Sequence, residues 1–329
     1  MSGFSDWINR IQATWHPARY HGHGLHRKYF EGWYYKLVDA SKEKMFALIP
    51  GVFFDRTGRE SHAFIQVLEG HTGRTHYLRF DPKAFWAHRE RFEVRVGDSH
   101  FDARQVTLNE KDPLSLRAEI KLGSLTPWPV TRASPGAMGW FGLVPFMQCY
   151  HGVLSMDHAI RGYIEIGDER VDLDGGRGYM EKDWGRGFPS AWVWMQCNHF
   201  DAPKTSLMVS VASVPWLGRP FRGFIIGLYH NGRLHRFTTY NGAFIESLRI
   251  DELEVALTAH RGQRTLEVVA ERTPGGRLRS PEGAEMQERV TESMRSTLWV
   301  KLAESRTTVY ESTGTPAALE VTGDVSQYG

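Results

Sequence analysis

The segment Leu114–Leu122, LSLRAEIKL, decides the class of fold. Its apolar side chains alternate with polar and charged ones, which is the period of a strand with one buried and one exposed face. Residues 92–96 and 253–257 show the same alternation. Asn231-Gly232 lies between two further apolar segments, and this dipeptide is typical of the tight turn of a β-hairpin. These patterns indicate antiparallel strands.

We therefore predict an all-β protein, an antiparallel barrel or sandwich, because strands and turns follow one another closely and helical patterns are sparse. Short helices are expected only at Phe4–Gln12 and Ala284–Ser293. The stretch Gly123–Pro145 is rich in Pro and Gly and interrupts the alternation. It predicts a crossover between two β halves, residues 1–145 and 146–329.

Composition limits the classes of function. The chain has 40 basic and 38 acidic residues among 329, so it lacks the basic excess of a nucleic-acid-binding protein. Its 11 Trp are unusual, and they suit a pocket for an apolar ligand. No segment has the pattern of a leader peptide or of a transmembrane helix. We expect a cytoplasmic protein that makes at most transient contact with a membrane.

The first candidate site is Tyr29–Lys36, YFEGWYYK. On a strand, Glu31, Trp33 and Tyr35 share one face. A carboxylate beside two aromatic rings on an inward face is poorly solvated, so its pKa is expected to rise until it donates a proton near neutral pH. The alternative is a structural ion pair between Glu31 and a nearby basic side chain.

The second candidate is Tyr150–His158, YHGVLSMDH. Strand alternation predicts that His151 and Asp157 share one side and that His158 lies on the other. Two imidazoles and a carboxylate in so short a segment suit acid–base chemistry. They equally suit hydrogen-bonded structural positions.

The third candidate is Gly178–Phe200, GYMEKDWGRGFPSAWVWMQCNHF. Glu181, Asp183 and Trp184 suit a charged turn at the rim of a pocket. A strand follows, and one of its faces carries two indoles and then two amides: Trp192, Trp194, Gln196 and Asn198. An apolar wall that leads to hydrogen-bonding groups would bind a long hydrocarbon with one polar end. The alternative is a Trp-rich core with satisfied amides.

Other chemistries have weaker support. His21, His23 and His26 lie in a Gly-rich loop without a further ligand, so we expect no metal. The Gly-rich stretches match no phosphate-binding pattern, and there is no Gly-x-Ser-x-Gly motif. We therefore expect no cofactor.

Two of these segments resemble the tocopherol cyclase family. The family pattern is a Phe-Glu-Gly-Trp-Tyr strand, here in YFEGWYYK, and a Glu-Lys-Asn/Asp-Trp-Gly-x-x-Phe-Pro turn that leads to Trp-x-Trp-x-Gln-x-Asn, here in GYMEKDWGRGFPSAWVWMQCNHF. This chain has Asp183 where plant members typically carry Asn, and we expect it to have no plastid transit peptide of their kind. The run HGVLSMDH is similar to that of bacterial members.

The resemblance implies two lipocalin-like β halves, related to the carotenoid hydratase group, and a cofactor-free isomerisation. In that reaction a prenylated hydroquinone closes to a chromanol. An acid protonates the alkene, aromatic faces stabilise the tertiary cation, and the phenol oxygen captures it while water is excluded.

The resemblance also implies roles for individual residues. The acid would be one of three carboxyl groups, Glu31, Asp157 or Asp183. Aromatic faces would come from Trp33, Tyr35, Trp192 and Trp194. The head group would be held by Gln196, Asn198 and His151, and we place His158, Glu181 and Trp184 beside them in the substrate pocket.

Two other functions fit the same pocket. A hydratase of an isoprenoid double bond differs only by a water held beside the cation, so its product is one water heavier than the substrate, whereas cyclisation leaves the mass unchanged. A non-catalytic carrier of an isoprenoid or other lipid would release its ligand chemically unaltered. In each case the partner is a hydrophobic small molecule, and the sequence indicates no oligomeric state.

Overall fold

The computed structural model describes residues 2–216 and 218–325. One α-helix, α1 (Ser2–Ala13), begins this part of the chain, as the pattern at Phe4–Gln12 predicted. Two short 3-10 helices follow later, at Pro82–Ala84 and Gly139–Leu143. The remaining regular structure in these residues is strand, which confirms the all-β prediction.

Contacts between Cα atoms divide the chain into two compact units. Unit 1 comprises Met1–Glu69, Arg74–Phe188 and Leu278–Glu288. Unit 2 comprises Gly70–Gly73, Pro189–Arg277 and Arg289–Gly329.

Unit 1 contains a twelve-stranded antiparallel sheet whose main order is β4-β3-β2-β1-β14-β12-β9-β8-β7-β6-β5, with β13 paired to β12. Its strands are β1 (Tyr29–Val38), β2 (Met45–Phe54), β3 (His62–Glu69), β4 (Arg74–Phe80), β5 (Phe85–Ala87), β6 (Glu93–Val96), β7 (Ser99–Asp102), β8 (Gln105–Glu110), β9 (Leu116–Leu122), β12 (Cys149–Ile166), β13 (Glu169–Asp172) and β14 (Arg177–Gly185). A separate small hairpin pairs β10 (Val130–Thr131) with β11 (Ser134–Pro135).

The second large sheet has ten antiparallel strands in the main order β18-β17-β16-β15-β24-β23-β21-β20-β19, with β22 paired to β23. Its strands are β15 (Trp192–Cys197), β16 (Ser206–Trp216), β17 (Arg219–His230), β18 (Arg233–Thr238), β19 (Phe244–Ile250), β20 (Glu254–Arg261), β21 (Arg264–Glu271), β22 (Gly276–Glu282), β23 (Glu285–Glu304) and β24 (Thr307–Thr322).

Local sequence explains several of these elements. Strand β9 has the predicted alternation of buried and exposed side chains, because its apolar residues pack into the core of unit 1. The predicted hairpin joins β17 and β18. Its turn residues, Asn231 and Gly232, have φ of 49° and 73°, which are values that Asn and Gly tolerate.

The boundary between the units differs from the predicted division at residue 145. Apart from the short segments Gly70–Gly73 and Leu278–Glu288, the chain passes from unit 1 to unit 2 between Phe188 and Pro189, because β12 and β14 pair with β9 and β1 in the first sheet. The Pro- and Gly-rich stretch Gly123–Pro145 therefore lies within the connection between two neighbouring strands of one sheet, and it does not cross between halves.

The predicted helix at Ala284–Ser293 is wrong, because this segment begins strand β23. The run contains good helix formers such as Glu, Met and Gln. Pairing of β23 with β22 and β24 supplies backbone hydrogen bonds in an extended conformation, and this tertiary context overrides local propensity.

Candidate functional site

Strands β1, β14 and β12 lie side by side at the centre of the first sheet and position the candidate site. In their register, Trp184 lies between Glu31 and Tyr150, and Asp183 lies opposite His151. Residues that face each other across antiparallel strands project to the same side of the sheet. One side of the three strands therefore carries Glu31, Trp184 and Tyr150, and the other side carries Asp183 and His151.

A cavity of about 730 Å³ lies in unit 1 beside these strands. This volume is within the usual range of pockets for small molecules. Side chains of α1, of the loop before β1 and of the β9–β12 connection form much of the wall. Its aromatic and imidazole members are His21, Tyr29, Tyr150, His151 and Trp184.

His151 is held between two carboxyl groups. Its Nδ1 lies 3.0 Å from Oδ1 of Asp183, and its Nε2 lies 3.6 Å from Oε2 of Glu181. The hydroxyl of Tyr179 donates a hydrogen bond of 2.5 Å to Glu181. Sequence proximity suggested that Glu181 and Asp183 lie near one another, and the structure adds His151 from the neighbouring strand.

The two carboxyl groups determine the charge of His151. Burial alone would lower the pKa of His151, but the negative charges of Glu181 and Asp183 outweigh burial and raise it to about 9. His151 therefore carries a positive charge at neutral pH, and it does so at the wall of the cavity.

The same three side chains are a candidate metal-binding set, since their potential ligand atoms all lie within 4.8 Å of one another. The two nitrogens of His151, however, face two different carboxyl groups. Metal ligands converge on one point, and each imidazole contributes one nitrogen. The arrangement fits a doubly protonated imidazolium between Asp183 and Glu181 better than it fits a metal site.

Glu31 lies in a separate buried network on the other side of the sheet. Its Oε1 accepts a hydrogen bond of 2.6 Å from Nζ of Lys182, and its carboxyl group also accepts hydrogen bonds from the hydroxyl of Tyr29 and the backbone amide of His21. Burial alone would raise the pKa of Glu31, but Lys182 and His21 lower it. The predicted raised pKa is therefore wrong, and the structural ion pair is the arrangement found.

Lys182 and His21 complete this network. Burial lowers the pKa of Lys182 to about 8, although the charge of Glu31 opposes the shift. Burial, together with the charge of Lys182, lowers the pKa of His21 to about 4, so His21 is neutral. Neutral His21 accepts from Lys182 through Nδ1 at 2.7 Å and donates to the carbonyl of Ala13 through Nε2 at 3.0 Å.

The buried network supports the wall of the cavity through Trp184. The indole of Trp184 stacks on His21 with ring centres 4.2 Å apart and on Tyr150 with ring centres 5.5 Å apart. Nζ of Lys182 lies 4.4 Å from the centre of the same indole, a favourable cation–π distance. The predicted turn at Glu181–Trp184 is wrong, because these residues lie within strand β14, where pairing with β1 and β12 keeps the backbone extended. Trp184 does lie in the cavity wall, and its role in ligand binding stays a prediction.

The third predicted acid, Asp157, forms an ion pair with Arg177 through both carboxylate oxygens. It is absent from the described cavity wall, as is His158. Burial and the charge of Arg177 lower the pKa of His158 to about 4. Register shifts in β12 between Val153 and His158 interrupt the alternation, so the prediction that His151 and Asp157 share one side does not follow from the strand pattern.

Trp33 and Tyr35 are on the predicted face with Glu31, but they belong to the apolar core of unit 1 and not to the cavity wall. Trp33 stacks on Phe92 with ring centres 5.8 Å apart, and its Nε1 donates to the carbonyl of Ala18. Both side chains therefore stabilise the fold directly.

The remaining predicted residues lie on or just after β15, in unit 2, and are all buried: Trp192, Trp194, Gln196 and Asn198. Nε1 of Trp192 donates a hydrogen bond of 2.8 Å to Glu320, and Nε2 of Gln196 donates one of 3.5 Å to Ser206. Their alternate neighbours Val193, Met195 and Cys197 belong to the core of unit 2. A role of these four residues in ligand binding stays a prediction.

Sequence reasoning missed Lys182, His21 and Tyr150 as parts of the site. His21 was considered only as a metal ligand. Lys182 was visible in the segment predicted as a charged turn, but its contact with Glu31 depends on the register of strands that are far apart in sequence. Tyr150 precedes the predicted His151 and is positioned by the same register.

A model of the family described as tocopherol cyclase-like matches residues 109–323. The chain belongs to this tocopherol cyclase-like family. The matched range contains Gly178–Phe200, whereas Tyr29–Lys36 lies before it. The predicted family is thus confirmed, on a range that contains the second of the two motifs.

Two plant relatives match a shorter part of the chain. A probable chloroplastic tocopherol cyclase of Oryza sativa subsp. japonica is 28% identical over 117 residues, which cover 34% of this chain and 25% of that protein. A chloroplastic tocopherol cyclase of Zea mays is 31% identical over 110 residues, which cover 32% of this chain and 23% of that protein. The chain therefore spans about a quarter of the length of these two relatives.

The fold is similar to that of CghA. The match has a TM-score of 0.58 at 10% identity and covers 90% of this chain and 89% of CghA. The structure of CghA with Sch210972 gives a TM-score of 0.56, also at 10% identity, and covers 89% and 88% of the two chains. At this identity the similarity concerns the fold alone. Among the described residues, no helix is long and apolar enough to cross a membrane.

Proposed function

We propose that this protein is a cofactor-independent cyclase that closes a prenylated hydroquinone to a chromanol. The observation that carries the proposal is the positively charged His151 at the wall of a ligand-sized cavity, held between Asp183 and Glu181. Family membership supports the class of reaction.

The proposed reaction conserves atoms and needs no oxidant or reductant, because substrate and product are isomers. His151 gives a proton to the less substituted alkene carbon. The phenol oxygen forms a bond to the tertiary carbon, and its own proton passes to the imidazole of His151, which has given up a proton to the alkene. His151 therefore ends in its starting protonation state, and Asp183 and Glu181 remain beside it throughout.

The pKa of about 9 for His151 constrains the order of events. Such a group is a weak acid, and it cannot generate a free tertiary cation in a separate step. Proton transfer and C–O bond formation are therefore concerted in this proposal. The pair of carboxylates around one imidazolium leaves a local negative charge, which stabilises the positive charge that develops on the substrate.

The proposed partner is a hydrophobic small molecule with a hydrocarbon chain and a phenolic head. The cavity wall includes apolar side chains that suit such a chain, among them Leu25, Met138, Val144 and Met147. Tyr150 and Trp184 lie in the same wall and suit an aromatic head.

The test is incubation of the purified protein with a prenylated hydroquinone under reducing conditions, followed by liquid chromatography and mass spectrometry. A chromanol of unchanged mass is expected. His151→Asn and Asp183→Asn are each expected to lower kcat by about 100-fold or more, the usual effect of losing general acid catalysis. Asp157→Asn is the control, and it should retain the rate because Asp157 is paired with Arg177, whereas Asp183 is paired with His151.

Three results would overturn the proposal. A product heavier by one water would indicate a hydratase. Recovery of unaltered ligand from the parent protein would indicate a carrier. Full cyclisation by His151→Asn would exclude His151 as the proton source.

A further inference from the structure

Large apolar side chains are exposed around the entrance of the cavity. Ile11, Trp140, Leu143 and Phe146, here called the apolar lip, expose 41%, 45%, 45% and 52% of their surface. Ile11 and Leu143 line the cavity directly, and Phe146 lies between two lining residues. Trp140 lies in the same 3-10 helix as Leu143. Concentrations of exposed apolar surface commonly mark a site of interaction with a membrane, a protein or a ligand.

Basic side chains lie at the same entrance. Arg27, Lys28 and Arg186, here called the basic rim, are exposed and line the cavity. Within the described residues none of the three is in an ion pair with a carboxylate. No Asp or Glu occurs among the described residues that line this cavity. The entrance therefore combines apolar surface with positive charge that its own wall does not neutralise.

We propose that the apolar lip and the basic rim dock the protein on an anionic lipid bilayer. The lip would enter the boundary between headgroups and acyl chains, and the rim would contact lipid phosphates. The charge complementarity favours a bilayer that carries negative lipids. Because two residues of the lip, Ile11 and Leu143, and all of the rim line the cavity, an apolar ligand could pass from the bilayer into the protein without crossing water.

This inference goes beyond the proposed cyclisation, since docking does not depend on which reaction follows. Its test therefore uses no substrate. The purified full chain is sedimented with vesicles of phosphatidylcholine and with vesicles that also contain phosphatidylglycerol. Binding to the anionic vesicles is expected to be stronger and to fall as salt rises, because salt screens the contacts of the rim.

Matched control variants distinguish binding through this surface from nonspecific adsorption to vesicles. Phe146→Ser is expected to weaken binding to anionic vesicles by about tenfold. Its control is Phe244→Ser in unit 2, where Phe244 is 57% exposed. Lys28→Glu is expected to weaken binding by at least about fivefold. Its control is Lys204→Glu, since Lys204 is also exposed and also has a positive φ.

The proposal is wrong if the parent protein fails to sediment with anionic vesicles, or if each control variant weakens binding as much as its partner. Thermal melting of every variant verifies that the fold is kept. If the parent protein cyclises a substrate in detergent but does not bind vesicles, only the docking proposal is refuted. If it binds vesicles but does not cyclise the substrate, only the proposed reaction is refuted.

Discussion

Asp183→Asn tests the electrostatic origin of the charge on His151. The substitution removes a negative charge 3.0 Å from Nδ1 of His151 and keeps a side chain of nearly the same shape. The amide oxygen still accepts a hydrogen bond from the imidazole. What changes is the charge of the acceptor.

The size of the effect follows from this contact. A hydrogen bond to a charged group contributes about 1.5–3 kcal/mol, and a pKa change of one unit corresponds to about 1.4 kcal/mol. The amide of Asn keeps a neutral hydrogen bond of about 0.5–1.5 kcal/mol, so the net loss is about 1–1.5 kcal/mol, and the pKa of His151 is expected to fall from about 9 by about one unit. It should stay above the value that burial alone would give, because Glu181 remains beside Nε2.

The measurement is an NMR titration of protein labelled at the histidine side chains, with the His151 signal assigned from its loss in His151→Asn. If cyclisation is observed, the alkaline limb of kcat/KM should move by the same amount, since His151 must be protonated to act. Glu246→Gln is the matched control: it removes the carboxyl group 2.8 Å from His260 in unit 2 and should leave the His151 titration unchanged.

Stability gives an independent check. Because the pKa of His151 is raised on folding, its protonation stabilises the protein fully below the unfolded pKa of about 6.5, and this contribution is lost as the pH rises through about 9. The difference in unfolding free energy between parent and Asp183→Asn should shrink over that interval. A His151 signal that titrates near 6.5 in the parent, or one that Asp183→Asn leaves in place, would refute the reasoning.

Two further predictions concern the fold around the site. Lys182→Met should lower the unfolding free energy by about 3–5 kcal/mol, because it leaves the buried carboxylate of Glu31 without its ion-pair partner. Its control is Lys44→Met, which removes an exposed ion pair and should lower the unfolding free energy by less than about 1 kcal/mol. Equal losses for the two variants in denaturant unfolding would contradict this prediction. Gly162→Ala should cost about 3 kcal/mol or more because its methyl would overlap a backbone oxygen of β9. Gly167 has open space around it and a positive φ, so Gly167→Ala should lower the unfolding free energy by only about 1–2 kcal/mol. A lower melting temperature for Gly167→Ala than for Gly162→Ala would contradict this prediction.

Local patterns in the sequence predicted local structure well. The alternation in β9 and the Asn231-Gly232 turn depend on neighbours within a few residues, and both are found as expected. The segment Ala284–Ser293 shows the limit of this reasoning. Its local preference for helix is outweighed by strands that pair with it from elsewhere in the chain.

The site could be predicted only in part, for a related reason. Its residue types were visible in the sequence, but their partners are fixed by the register of β1, β14 and β12. Two residues apart on β14, Glu181 and Asp183 face His151, whereas the intervening Lys182 faces Glu31. The register therefore makes the carboxyl group of Glu31 the ion-pair partner of Lys182 and places those of Glu181 and Asp183 around the imidazolium of His151. The residue types alone do not predict this difference.

The boundary at Phe188 has a practical consequence for anyone who divides this chain. A fragment cut after residue 145 would lack β12 and β14 and would leave β1 and β9 each with an uncovered edge. Long uncovered edges invite pairing between molecules and hence aggregation. A cut after Phe188 keeps both edges covered, but it passes through the motif Gly178–Phe200. Hybrid proteins assembled from relatives should therefore inherit this motif from a single parent and place the junction elsewhere.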